Sequence, residues 1–340
     1  MRRITVAPVK PLPYCPRCGS PVNEDDRFCP RCGQRLRRVD QLPGGEAAKG
    51  GAAREAVSVL DLTWEAVASV FRPSPVLLTP SDAIYARRPY SSLRGYLLAA
   101  AALTIVGLFM GYGEAWLSYL GLTLAGFAAP ILYLLWMVRN DRFEQEPLSL
   151  IAVTFGWGTF CGILAAVLNL LAVPLLGTPG AAFVEEPLKL LGVYWLARHR
   201  KLGAEFNDHL DGMVYGAAAG AGFAGLENLQ YIMEMVTGQG LPAVGAIAVR
   251  SATSLCHIAW SAAAGRSLGL AKALNGRTCL ADLIPGLVVA IPMHFLWNAS
   301  PPFAALLLLL PLYSIILLRQ VRAAQLDEAR WGYQSSAPVE

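Results

Sequence analysis

A small set of polar side chains interrupts four neighbouring apolar runs: Glu185, Glu186 and Lys189, then Glu227 and Asn228, then Arg250 and His257, then His294 and Asn298. A charged group in the middle of a membrane helix costs about 2.5–3.5 kcal/mol or more unless it is paired or solvated, so such residues mark a functional site by default. Glu185 and Lys189 are four apart and Glu186 and Lys189 three apart, so all three can meet on one helix face. One ammonium can then hold one carboxylate ionised and leave the other available. His294 and Asn298 share a face in the same way, bringing an imidazole and an amide into one space. Carboxylates, imidazoles and an amide are what hydrolysis needs: a base for a water and donors for an oxyanion. The same two His and one or two Glu (Glu185, Glu227, His257, His294) could instead hold a catalytic zinc. Spacing leaves both readings open.

These residues need helices to carry them. The chain has 340 residues, 55% hydrophobic and 15% charged, with a mean hydropathy of +0.44. Soluble domains are about a quarter charged, so the composition predicts an all-α polytopic membrane helix bundle. About eight spans are expected, at 95–112, 115–138, 148–176, 179–197, 211–236, 244–270, 279–299 and 302–318. Lys and Arg fall in every second joint: Arg87, Arg88 and Arg94; Arg139 and Arg142; Arg198, Arg200 and Lys201; Lys272 and Arg277; Arg319 and Arg322. By the positive-inside rule this predicts a multi-pass cell-membrane protein with both termini cytoplasmic. Counted from the outer joints at about 1.5 Å per residue, Glu185 lies roughly 10 Å deep, Glu227 roughly 14 Å, His294 roughly 9 Å and His257 between roughly 10 and 20 Å. They form one layer. Gly212, Gly216, Gly220, Gly222 and Gly225 permit close helix approach along the fifth span. Pro187 is expected to loosen the fourth, and Phe223, one turn before Glu227, to wall off its face. Asp211, Arg266 and Asp282 are expected near cytoplasmic ends, within reach of water. Cys161, Cys256 and Cys279 read as small packing residues.

The N-terminal region differs. Residues 1–40 hold nine Lys/Arg against four Asp/Glu, a net of about +5. Within them Cys15-Pro-Arg-Cys18-Gly and Cys29-Pro-Arg-Cys32-Gly form two knuckles, the pattern of a four-thiolate zinc site. Four thiolates close the coordination sphere, so that zinc is expected to be structural. The module (13–36) resembles the short zinc ribbons at the ends of prokaryotic proteins, and its basic face suits a protein, anionic-lipid or nucleic-acid partner. Residues 37–94 read as a linker, a short helix and a basic juxtamembrane stretch, 95–320 as the transmembrane domain and 321–340 as a cytoplasmic tail. Val57, Leu60, Trp64, Val67 and Phe71 form one apolar stripe, expected to lie on the membrane surface or on the protein. The basic start MRRITVAPVK is followed by no apolar core, so no cleavable signal peptide is expected and the first span is expected to direct insertion.

The set Glu185-Glu186-Pro-Leu-Lys189, Phe223-Ala-Gly-Leu-Glu227-Asn228, His257 and His294-Phe-Leu-Trp-Asn298 resembles the PrsW family of intramembrane proteases, relatives of the CAAX- and bacteriocin-processing proteases. The likeness covers about residues 130–300 and leaves the zinc ribbon outside. It implies an intramembrane endopeptidase acting on a membrane-anchored protein, such as an anti-sigma regulator, within the lipid bilayer. By the same resemblance Glu185 is the base, and Glu227 and His257 position the water. His294 and Asn298 then bind the oxyanion, and Lys189 sets the charge of the Glu185/Glu186 pair. The relatives' mechanism favours a metal-free site. The alternatives are a proton-coupled transporter or sensor using the same polar layer, and a catalytically inactive relative that binds helices.

Overall fold

The computed structural model describes residues 57–73, 93–110, 115–141, 146–200, 202–240 and 242–331. The cysteine module (Cys15, Cys18, Cys29, Cys32), the 40–54 linker and most of the juxtamembrane stretch lie outside them. The regular elements among the described residues are all helical, the α-helices being α1 (Val59–Phe71), α2 (Leu93–Met110), α3 (Ala115–Asn140), α4 (Leu148–Leu176), α5 (Ala182–Arg198), α6 (His209–Met233), α7 (Ala243–Asn275), α8 (Leu283–Ala299), α9 (Pro302–Ala304) and α10 (Leu310–Trp331). π-helical turns extend α6 over Glu234–Gly238 and join α9 to α10 over Ala305–Leu309. Each apolar run expected to span is helical within a few residues of its expected ends. The last helix continues to Trp331, into what the sequence reads as tail.

Boundaries follow local chemistry. Asp208 caps α6, accepting from the backbone N–H of Leu210 and Asp211, while the Asp211 carboxylate accepts from Asn207 and Asp208 in return. Gly276, at φ 71°, closes α7 in a left-handed conformation that a side chain would strain.

α6 and α7 form the centre, and glycine explains how closely they pack. A Cβ on Gly216 would lie 2.2 Å from the carbonyl of Ser261 on α7, and one on Gly222 would lie 1.9 Å from the carbonyl of Phe155 on α4. Backbone meets backbone on both sides of α6. This leaves α6 sandwiched between α7 and α4, with α3 closing a third side where Gly225 meets the Phe127 ring. α5 and α8 lean on this core, and α10 packs against α7 and α6.

Among the described residues, four helical segments are long and apolar enough to cross a membrane: Leu120–Asn140, Leu148–Leu176, Leu280–Ala299 and Pro302–Gln325. α5, α6 and α7 fall outside that class for a physical reason. They carry the charged residues, and α6 and α7 are rich in Gly and Ala because other helices surround them.

The apolar stripe of α1 divides: Val57 and Val67 pack against the protein, whereas Leu60, Trp64 and Phe71 are 65–78% exposed, and Leu62, Ala66 and Ser69 are buried on the docked face. That face is held to α7 and α10 by polar contacts, Glu65 to Arg266 at 2.8 and 2.9 Å and Ser69 to Gln320 at 3.0 Å. Asp211, Arg266 and Asp282 are buried rather than wetted, because each satisfies a helix cap or an ion pair. Cys161 and Cys256 are buried as expected, but Cys279 is exposed at the start of a 3-10 turn leading into α8.

Candidate active site

α5 begins after a 3-10 turn (Thr178–Ala181), so Glu185 and Glu186 sit near its N-terminus, where the helix dipole favours negative charge. Glu185, Glu186, Lys189, His257 and His294 are each at most 4% exposed. Glu186 faces Lys189, with Nζ 2.5 Å from Oε1, and the same oxygen lies 2.8 Å from His294 Nδ1. Lys189 Nζ is also 3.3 Å from His257 Nδ1, and His257 Nε2 is 2.8 Å from Glu227 Oε2. A single run of polar contacts therefore links Glu227, His257, Lys189, Glu186 and His294 across α5, α6, α7 and α8.

The contacts fix the imidazole tautomers. His257 donates from Nε2 to the Glu227 carboxylate and turns Nδ1, as acceptor, to the Lys189 ammonium. His294 donates from Nδ1 to Glu186, which directs Nε2 toward the Asn298 amide at 3.1 Å and toward Glu185 Oε2 at 3.9 Å. Aromatic rings hold both imidazoles. Trp260 stacks on His294 at 4.2 Å and 16°, and Phe223 lies 5.4 Å from His257 with Lys189 Nζ 4.6 Å above its ring. Phe223 thus walls the site, though it faces His257 and Lys189.

All seven residues to which the resemblance gives a role (Glu185, Glu186, Lys189, Glu227, His257, His294, Asn298) come together. Two others complete the cluster. Asn169 on α4 donates from Nδ2 to Glu185 Oε1 at 3.0 Å, leaving Oε2 buried without a hydrogen-bond partner. Arg250 reaches Glu227 Oε2 at 2.6 Å. Asn169 carried the usable signal, a lone amide in an apolar run, but it is uncharged and outside the spaced motifs. Arg250 stands out in its run, yet spacing along α7 says nothing of a carboxylate on α6. Ser254, the residue one turn from His257 that a serine dyad would need, bonds instead to Asn228 and to the Arg250 carbonyl.

Residues 146–322, just over half the chain, match the family model described as PrsW family intramembrane metalloprotease. The chain belongs to the PrsW family. Residues 14–36 match a zinc-ribbon domain, which accounts for the four N-terminal cysteines. Two curated relatives, each named Protease PrsW, are similar over part of their length. The one from Geobacillus kaustophilus (strain HTA426) is 32% identical over 117 residues, 32% of this chain and 51% of the relative. The one from Bacillus subtilis (strain 168) is 29% identical over 125 residues, 32% of this chain and 52% of the relative. This PrsW-family chain therefore spans about half the length of the curated relatives it matches. No solved structure matches it.

The family description names a metal, and the donor set can be tested against one. A catalytic zinc takes three protein ligands. In this PrsW-family site both nitrogens of His257 are turned to other groups, Glu227 and the Lys189 ammonium, and His294 Nδ1 is turned to Glu186. Only His294 Nε2 and Glu185 Oε2 face one another. Among the described residues no group of three or more His, Cys, Asp or Glu is disposed to hold a metal. The donors as arranged do not fit a catalytic zinc.

Proposed function

We propose that this chain is an intramembrane endopeptidase that uses Glu185 to activate water against a peptide bond of a membrane-anchored protein. The observation that carries the reading is the Glu185–His294 pair: a buried carboxylate oxygen without a hydrogen-bond partner, 3.9 Å from an imidazole nitrogen. A separation beyond hydrogen-bond reach between two such groups suits a shared water. Charge counting supports the same pair. Three carboxylates, Glu185, Glu186 and Glu227, face two fixed cations, Lys189 and Arg250. One more proton neutralises the cluster, and Glu185 and His294 are positioned to exchange it.

With that proton on His294, Glu185 is ionised and takes a proton from water as the oxygen attacks the scissile carbonyl. The oxyanion then receives hydrogen bonds from His294 Nε2–H and the Asn298 amide. Collapse breaks the C–N bond, and the proton on Glu185 passes to the leaving amine. Lys189 keeps Glu186 ionised, and Glu186 keeps His294 oriented. The eight helices that match apolar runs are read as spans, including the charged α5 and the Gly/Ala-rich α6 and α7. The alternation of basic joints supports cytoplasmic termini and a site in the outer half of the bilayer, with a single-span protein of the anti-sigma type as the substrate class.

The test compares membrane proteomes of the host strain carrying wild type or Glu185→Gln at matched levels. The reading expects at least one single-span protein to accumulate intact in the variant, with its cleaved fragment present only in wild type. Identical proteomes would overturn it and favour transport or an inactive helix-binding role.

A further inference from the structure

Arg250 is 7% exposed within α7, and a buried guanidinium in apolar surroundings needs a reason. Its contacts supply one. Nη2 reaches Glu227 Oε2 at 2.6 Å and Nε reaches Asn228 Oδ1 at 3.0 Å, so one planar fork grips two consecutive residues of α6. The face of the guanidinium lies 4.5 Å from the Tyr231 ring, one turn further along α6.

Asn228 is fixed in turn. It donates from Nδ2 to the Gly126 carbonyl on α3 at 2.8 Å and to Ser254 Oγ at 2.9 Å, while Ser254 donates back to the Arg250 carbonyl at 2.8 Å. Both N–H groups and the oxygen of this amide are engaged, and flipping it would turn NH₂ against the guanidinium. Arg250 and His257 are two turns apart on one face of α7, and both address the same carboxylate oxygen of Glu227.

We propose that Arg250, braced by Asn228 against α3, is a positioning residue for the peptidase reaction, holding the Glu227 carboxylate so that it fixes the His257 imidazole beside Lys189. The proposal rests on the hydrolytic reading of the site. Arg suits the task where Lys would serve only in part, because an ammonium is a point charge and cannot span both acceptors. The brace also gives α3, which precedes the family-matched segment 146–322, a part in the geometry of the site.

The test uses the full chain, purified with the single-span substrate identified by the proteome comparison, and measures kcat and KM separately. Arg250→Gln is expected to lower kcat about a hundredfold, the lower end of what a positioned acid–base group contributes, with KM within about twofold. Arg250→Lys keeps the charge beside Glu227 and gives up the bond to Asn228, so it should recover about tenfold of that loss. Asn228→Leu leaves every charge in place and should still lower kcat several-fold, and it decides the matter if Arg250→Gln fails to accumulate. Wild-type kcat in Arg250→Gln, a raised KM at unchanged kcat, Lys no better than Gln, or an unaffected Asn228→Leu would each overturn the proposal. Glu185→Gln separates the two levels: full activity in that variant sinks the hydrolytic reading itself, whereas an inactive Glu185→Gln beside an unaffected Arg250→Gln sinks only the role of Arg250.

Discussion

Asn169 offers the sharpest quantitative test of how the base is held. Its amide donates to Glu185 Oε1 at 3.0 Å from α4, a helix that contributes nothing else to the run of polar contacts. A hydrogen bond to a charged acceptor is worth about 1.5–3 kcal/mol. If that orientation is needed to point Oε2 at the water, Asn169→Leu should raise the barrier by a comparable amount. At about 1.36 kcal/mol per decade, this is roughly a 10- to 150-fold loss in kcat. KM should change little, because Asn169 is not called on to bind substrate. The sign of a second variant is more telling. Asn169→Asp is similar in shape but sets a like charge against Glu185, and it should be worse than Leu. The assay is cleavage of the identified single-span substrate by purified variants in lipid bilayers, with thermal melting to show that the bundle persists. Wild-type kcat in Asn169→Leu, or an Asp variant milder than Leu, would refute the reasoning.

Three other outcomes follow from the packing and the donor set. On α4, a Cβ at Gly158 would lie 1.9 Å from the Ala219 carbonyl while one at Gly156 meets nothing within 4 Å, so Gly158→Ala should lower the melting temperature and Gly156→Ala should be neutral or slightly stabilising by about 0.5–1 kcal/mol. Elemental analysis of purified protein should find one zinc per chain, lost in Cys15→Ser/Cys18→Ser and unaffected by His294→Ala; a second zinc that depends on His294 would contradict the donor geometry. Glu65→Ala removes the paired bonds to Arg266 that hold α1 to α7, so amide exchange over residues 57–72 should accelerate at least tenfold while α6 stays protected.

The site was more legible in the sequence than its supports. Hydrocarbon makes a buried charge conspicuous, so Glu185, Glu186, Lys189, Glu227, His257, His294 and Asn298 stand out against Leu and Ala. Helical spacing groups those on one helix. The glycines of α6 likewise announce close approach, and each one named meets a neighbour on α3, α4 or α7. What spacing cannot convey is which residues on different helices share a partner. Nothing in the sequence ties Arg250 to Glu227 and Asn228, or Asn169 to Glu185, because those pairings depend on how α4, α6 and α7 rotate about their axes. On α1 the stripe gives only part of the docked face: Val57 and Val67 belong to it, but Leu62, Ala66, Ser69 and Glu65 dock from outside it while Leu60, Trp64 and Phe71 point outward. Hydropathy alone picks out fewer spanning helices than the run pattern does, because α5–α7 are partly sheltered by protein and their composition resembles that of a soluble core.

The most direct measurement is the cleavage rate of the identified substrate by purified wild type and Glu185→Gln in the same bilayers. Gln preserves the shape of the side chain and an oxygen that can accept from Asn169, but it cannot take a proton from water. A base-catalysed hydrolysis predicts a rate at least about a thousandfold lower, within the range of a lost general base, with the melting temperature unchanged. A Glu185→Gln chain that still cleaves at a tenth of the wild-type rate or more would contradict the account.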